Sequence, residues 1–305
     1  MNNVINYYYG ISVVDIYNSG DKYFFTNNGE KYCFDIFDRD QTDIGNIINL
    51  CIELKSKGIL TNEIIINRYN MFITPYNGKM YVLIKENVKD FKINFNDILY
   101  IQNCTLDIIY NKKLIRSNHV NMWKKKIDYY ERKGKDLCSK YFLIYNTLDY
   151  YIGLGENAIS YLTNNKVLFN HVVLSHRRID SKENSSDFYN PLNYILDSRS
   201  RDVADYIKIL FFDEKVSYES IILFLKYANL NREEYILLFG RLLYPTYYFD
   251  MIDRIIFLEE DENILKKILK RNEAYIHLLK KMFCYVNYEL KMNIPVIEWI
   301  IKKYN

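Results

Sequence analysis

The residues best placed to do chemistry lie in one stretch, residues 171–208. His176, Arg177 and Arg178 come one residue after an apolar run, Val172-Val173-Leu174, and Asp180, Asp187, Asp197, Asp202 and Asp205 come after them. A histidine and spaced carboxylates are groups that move protons or hold cations. The apolar run reads as a short buried strand. Residues 180–187 are polar and turn-rich, residues 191–196 form a second apolar run, and Val203-Ala204-Asp205-Tyr206-Ile207 is helical in pattern. The order is strand, loop, strand, loop, helix. Polar loops leaving adjacent strand ends are where an α/β or α+β protein usually builds a site.

That order resembles the core of protein kinases and aminoglycoside-phosphotransferase-like enzymes. These carry His-x-Asp after a short strand, a metal-binding Asp on a second strand and a later Asp at a helix start. On that frame His176 matches the histidine, but the Asp position holds Arg178 and the metal-ligand Asn position holds Glu183. The metal-binding Asp is either Asp187, in Asp-Phe-Tyr, or Asp197. Asp202 matches the helix-starting Asp, and Asp202-Val203-Ala204-Asp205 reads as a capping box, a structural role. The resemblance also implies that Asp202 holds the backbone around His176. The frame is present while the chemistry looks degraded.

The elements that must position these residues follow from the rest of the chain. Its 305 residues suffice for one large domain or two lobes. Nearly half are hydrophobic and the formal net charge is +3. This is the composition of a folded protein, with no electrostatic reason to expect nucleic acid as a partner. No apolar run approaches the ~18 residues of a membrane span, and the N-terminus lacks the pattern of a signal peptide. Five scattered cysteines and four dispersed histidines argue against a metal site or a disulfide framework. Reduced thiols and a cytoplasmic setting are the expectation. The 31 tyrosines accompany abundant Asn, Ile and Lys, all with AT-rich codons. The sharper reading of the tyrosines is a contact surface or oxidative cross-linking.

Residues 5–14, 23–26 and 31–37 read as strands, punctuated by turns at Gly20-Asp21 and Asn27-Asn28-Gly29. Thr42 or Asp43 caps a helix to about Lys57, with Ile44, Ile47, Ile48, Cys51 and Leu54 on one face and Gly58 as its C′ residue. Strands return at 63–66, 71–74 and 80–84, with Asn77-Gly78 as a hairpin turn. Residues 1–86 thus form a β-rich lobe with one helix, and residues 87–305 a mainly helical lobe. A catalytic lobe of the kinase kind also needs a strand Lys, a helix Glu and a glycine-rich phosphate loop. The third strand has Phe34 and Asp35 at its middle and no Lys there, Glu53 is the helix candidate, and Gly20 is isolated. Residues 122–132 read as a helix with Trp123, Ile127 and Tyr130 inward. Residues 137–163 read as another, broken at Gly153–Gly155. Amphipathic helices follow at 218–227, 232–243, 247–258, 262–270, 274–290 and 295–304, with Pro245 between two of them and Pro295 starting the last. The aromatic run Tyr244–Phe249 is too dense for one helix face to bury and is a candidate partner patch.

Several stretches resemble the spore-coat kinase-like family, in its YutH-type branch: GKMYVLIKE, MWKKKIDYYE, GENAISYL, PLNYILDSRSRDVADYIK and YILLFGRLLYPTYYFDMID. The resemblance implies an α+β, bilobal protein-kinase-like fold and a role in spore coat assembly or sporulation. The expectation is a pseudokinase scaffold for spore coat or sporulation proteins, made in the cytoplasm and deposited on the coat. It has no intact catalytic residue and expects no cofactor or metal. The alternative is an active phosphotransferase with Asp180 as base and Mg-ATP held through Asp187 or Asp197.

Overall fold

Asn28-Gly29 (φ +51° and +78°) and Asn77-Gly78 (φ +47° and +72°) close two-residue hairpins. Positive φ at both central positions matches the twist of the strands they join. The structure, a computed structural model, describes residues 1–89, 91–108, 112–116, 118–167, 171–179, 185–214 and 216–302. Its main sheet holds β1 (Ile16–Ser19), β2 (Lys22–Asn27), β3 (Glu30–Ile36), β4 (Glu63–Ile65), β5 (Thr74–Tyr76) and β6 (Lys79–Glu86). The order is β1-β2-β3-β6-β4, with β5 on β6 and every pairing antiparallel.

The stretch expected to be the first strand is instead a helix, α1 (Asn2–Tyr9), and β1 starts only at Ile16. Met1, Ile5 and Tyr9 fall at helical spacing. Ile5 is fully buried with Phe25, Tyr32, Phe34, Tyr81 and Leu83, and Met1, Val4 and Tyr9 pack on that cluster. Gly10 (φ +71°) ends the helix, its N–H donating to the Asn6 carbonyl. Burial of one helical face overrides the β-propensity of Tyr, Val and Ile.

The second helix is close to expectation. α2 (Asp43–Ser56) buries Ile47, Leu50 and Leu54, while Ile44, Ile48 and Cys51 are half-buried. Gly58 (φ +75°) closes its end, and the Ile59 N–H donates to the Leu54 carbonyl. α3 (Phe95–Cys104) starts from a capping box in which Asn94 and Asp97 serve each other's backbone.

Two compact units form: Met1–Ile115 with Val172–Asp197, and Arg116–His171 with Ser198–Asn305. The first joins the sheet to a strand pair that a division at residue 86 separates from it. In that pair β7 (Val173–His176) runs antiparallel to β8 (Tyr194–Asp197), with the short helix α6 (Ser185–Phe188) between them in sequence. The pair is anchored locally: Leu174 N–H donates to Thr105 Oγ1 (3.1 Å), and Ile115 bridges Leu196.

The second unit is helical. α4 (His119–Lys140) turns Trp123, Ile127 and Tyr130 inward, as its pattern predicts. α5 (Phe142–Asn165) passes through Gly153 and Gly155 unbroken; the break falls at Tyr141, whose backbone is extended. Gly155 serves close packing, since a Cβ there would lie 2.7 Å from Ile127 Cδ1. The remaining helices are α7 (Ser200–Ile209), α8 (Tyr218–Ala228), α9 (Arg232–Leu243), α10 (Thr246–Phe257), α11 (Leu265–Leu269), α12 (Asn272–Cys284) and α13 (Glu298–Lys302). The last starts at Glu298, not at Pro295.

Candidate functional site

His176 ends β7 fully buried, its ring stacked on Phe188 (centroids 4.1 Å apart) and its Nε2 2.9 Å from the Phe188 carbonyl. The next two residues are held by their neighbours. Arg177 grips Asp38 with two nitrogens, at 2.5 and 2.9 Å. That hydrogen bond holds the Asp38 carboxyl below the usual carboxylate range. The backbone of Arg178 is clamped by one side chain: its N–H donates to Asn193 Oδ1 (3.1 Å), and its carbonyl accepts from Asn193 Nδ2 (2.7 Å). Arg178 is therefore fixed in its backbone and exposed in its side chain. Arg39, packed under the β3–α2 connection, donates to the Tyr194 carbonyl (2.8 Å) and pairs with Asp43 (3.4 Å). This ties β8 to the sheet.

Asp187 and Asp197 lie in different surroundings. Asp197 ends β8 opposite Val173 and is fully buried. Asp187, on α6, meets Lys22 at 3.0 Å, and the same ammonium lies 3.3 Å from Asp35 on β3. Burial raises the Asp35 carboxyl, and Lys22 offsets part of that rise. Burial alone would lower the Lys22 ammonium, but Asp35 and Asp187 outweigh it and leave it raised. One cation thus serves two anions.

Lys22 escapes a reading of the third strand because it comes from the second. The signal was nonetheless present. Tyr23 pairs with Phe34, so the next position along the ladder sets residue 22 against residue 35. Asn62, fully buried, was also missed. Its Oδ1 accepts from the Asn87 and Val88 N–H groups, and its Nδ2 donates to the Ser186 carbonyl. No short motif announces an asparagine of this kind.

The other expected residues fall as follows. Asp180 lies outside the described residues, as does Glu183. Glu53 is half-buried on α2. Asp202 and Asp205 belong to the second unit. α7 begins at Ser200 with Arg199 as its N-cap, so Asp202 is its third residue, buried within the first turn, and Asp202 to Asp205 is not a capping box. A carboxylate there still faces the positive end of the helix. The aromatic run Tyr244–Phe249 is not a surface patch. Tyr244, Tyr248 and Phe249 are buried, stacked on Trp123, Tyr151 and Tyr130 respectively. The run spans two directions, with Pro245 between α9 and α10, so more than one face of the packing receives it. Among the described residues no cluster of three potential metal ligands occurs, and no helix is long and apolar enough to cross a membrane.

The fold is similar to a spectinomycin phosphotransferase crystallised with ADP and spectinomycin (TM-score 0.60, 11% identity, 92% of this chain and 93% of that one). It is similar also to an aminoglycoside phosphotransferase from Alicyclobacillus acidocaldarius (TM-score 0.54, 12% identity, 93% and 94%). The α+β, kinase-like fold expected from the sequence is therefore the fold of the chain. In sequence, 206 residues are 25% identical to the endospore coat-associated protein YutH of Bacillus subtilis, covering 60% of this chain and 61% of that protein's length. Residues 2–282 match the family described as "Spore coat putative kinase YutH". The chain belongs to that spore-coat, kinase-like family.

Proposed function

We propose that this chain is a catalytically silent kinase-like protein that serves spore coat assembly as a scaffold. The observation that carries the reading is Lys22 held between Asp35 and Asp187. Phosphoryl transfer is mostly positioning and neutralisation of phosphate charge. Here the lysine is already neutralised by two carboxylates of the chain itself. The residues fit a magnesium–nucleotide complex poorly in two further ways. Ser19 pairs directly with Lys22, so the β1–β2 connection is the two residues Gly20-Asp21, too short to cradle phosphates with backbone N–H groups. Arg178 occupies the proton-accepting position, and a guanidinium does not accept protons near neutral pH.

The competing reading is an active phosphotransferase, with Mg²⁺ held through Asp187 or Asp197. The two phosphotransferase neighbours favour it. Family membership and the coat-associated relative support the location on the coat and partners among coat or sporulation proteins.

Two assays separate these readings. The purified chain, incubated with γ-labelled ATP, Mg²⁺ and extracted coat proteins, is expected to transfer no phosphate above background. The immobilised chain is expected to retain specific coat proteins from the same extract. Transfer that disappears in Asp187→Ala or Asp197→Ala would restore the enzyme reading.

A further inference from the structure

Ser185, Ser186 and Asp187 each reach a different part of the first unit. Ser185 meets the strand-following linker on both sides of one residue: its N–H donates to the Phe91 carbonyl (3.1 Å), and its Oγ accepts from the Phe91 N–H (3.0 Å). The same Oγ donates to the Lys89 carbonyl (2.9 Å). Ser186 Oγ donates to Glu86 (2.7 Å), and its carbonyl accepts from Asn62 (3.3 Å). Asp187 delivers a carboxylate to Lys22 (3.0 Å). The Asn62 N–H donates to the Tyr189 carbonyl (3.1 Å), so the far end is tied down too.

A donor–acceptor pair laid against a backbone N–H and C=O is what the hydrogen-bonding edge of a purine offers. An anion delivered to a lysine a short distance away is what a phosphate offers. The segment presents both, in one continuous run. We propose that Ser185–Asp187 is an internal ligand, filling with the chain's own groups a site between the backbone groups of Lys89 and Phe91 and the Lys22 ammonium that would otherwise take a purine nucleotide. This rests on the scaffold reading and deepens it. The unit is held in a ligand-bound arrangement without a ligand, which suits a protein whose task is to present a surface.

The test is competition. Binding of Mg-ATP is measured by equilibrium dialysis for the full chain and for Ser185→Ala/Asp187→Ala, with adenosine and tripolyphosphate as separate probes. Apparent affinity scales with the fraction of molecules whose site is open, so the double variant should bind Mg-ATP roughly tenfold or more tighter than the wild type. Adenosine should gain through the Ser185 change and tripolyphosphate through the Asp187 change. Equal affinity in both proteins overturns the proposal, and so does a folded double variant that still binds nothing. If the double variant does not fold, Asp187→Asn, which keeps the side-chain volume, gives the same comparison for tripolyphosphate. The scaffold reading is scored separately. A variant that binds ATP and transfers no phosphate upholds both ideas. One that binds and transfers upholds the internal ligand and overturns the loss of catalysis.

Discussion

Lys22 is the residue whose removal says most about the first unit. Asp35 is mostly buried, its side chain 10% exposed, and Lys22 is its counter-charge. Lys22→Ala should cost about 1–3 kcal/mol, because a buried carboxylate loses its partner. Asp35→Asn in the same background should recover much of that. Chemical denaturation of the two single variants and the double checks the coupling, and additive losses would dissolve the pair. His119 makes the matching prediction for pH. Burial first, then Arg241 and Arg201, push its imidazole down to about 2, while the unfolded chain keeps the ordinary value of 6.5. The unfolded state therefore binds the proton more readily. The stability this histidine contributes is complete above pH 6.5 and is lost as pH falls below it. The slope approaches about 1.4 kcal/mol per pH unit. His119→Asn should flatten stability between pH 6.5 and 5; an unchanged slope would place the acid sensitivity elsewhere. His119 packs edge-on to Trp123 (5.0 Å), so tryptophan fluorescence reports the transition.

At the scale of elements, packing decides where propensity is neutral or misleading. Gly240 sits inside α9, where alanine would improve helix propensity by about 1 kcal/mol. A Cβ there would lie 2.5 Å from both Cγ and Cδ2 of Leu162. Gly240→Ala should therefore destabilise by a net ~1–2 kcal/mol, overpacking exceeding the propensity gain. Leu162→Ala in the same chain should relieve part of the cost. A stabilised Gly240→Ala would show that α5 and α9 separate easily. Lys208 shows the reverse case, a charge that packing makes useful. Its buried ammonium donates to the Arg241 and Tyr244 carbonyls and to Thr246 Oγ1, at 2.6, 3.1 and 2.9 Å. It thereby satisfies the end of α9 and the start of α10. The helix pattern alone placed both helices, but not the lysine that closes the gap between them.

For the whole molecule, linkage gives the broadest prediction. A nucleotide present at ~100 times its Kd would add about 2.7 kcal/mol to the stability of the state that binds it. In a chain of this size that is a melting shift of several degrees. Millimolar Mg-ATP is expected to leave the wild-type melting temperature unchanged, and a Mg²⁺-dependent rise would argue for a retained nucleotide site. Much of the fold was legible beforehand because its signals are local. Asn28-Gly29, Asn77-Gly78 and Gly58 announce their own backbone conformations, and Trp123, Ile127 and Tyr130 mark a buried face through spacing alone. The stretches PLNYILDSRSRDVADYIK and YILLFGRLLYPTYYFDMID pointed to the family. Three things were settled only by tertiary structure. Residues 2–9 became a helix because Ile5 has a core to enter. The aromatic run Tyr244–Phe249 went inward because Trp123, Tyr130 and Tyr151 wait for it. Lys22 met Asp187 across 165 positions of sequence. Turns and amphipathic faces are written in neighbouring residues, so the sequence by itself determined them. Contacts between distant residues draw their energy from partners that no local pattern contains, and only the folded chain brings those partners together.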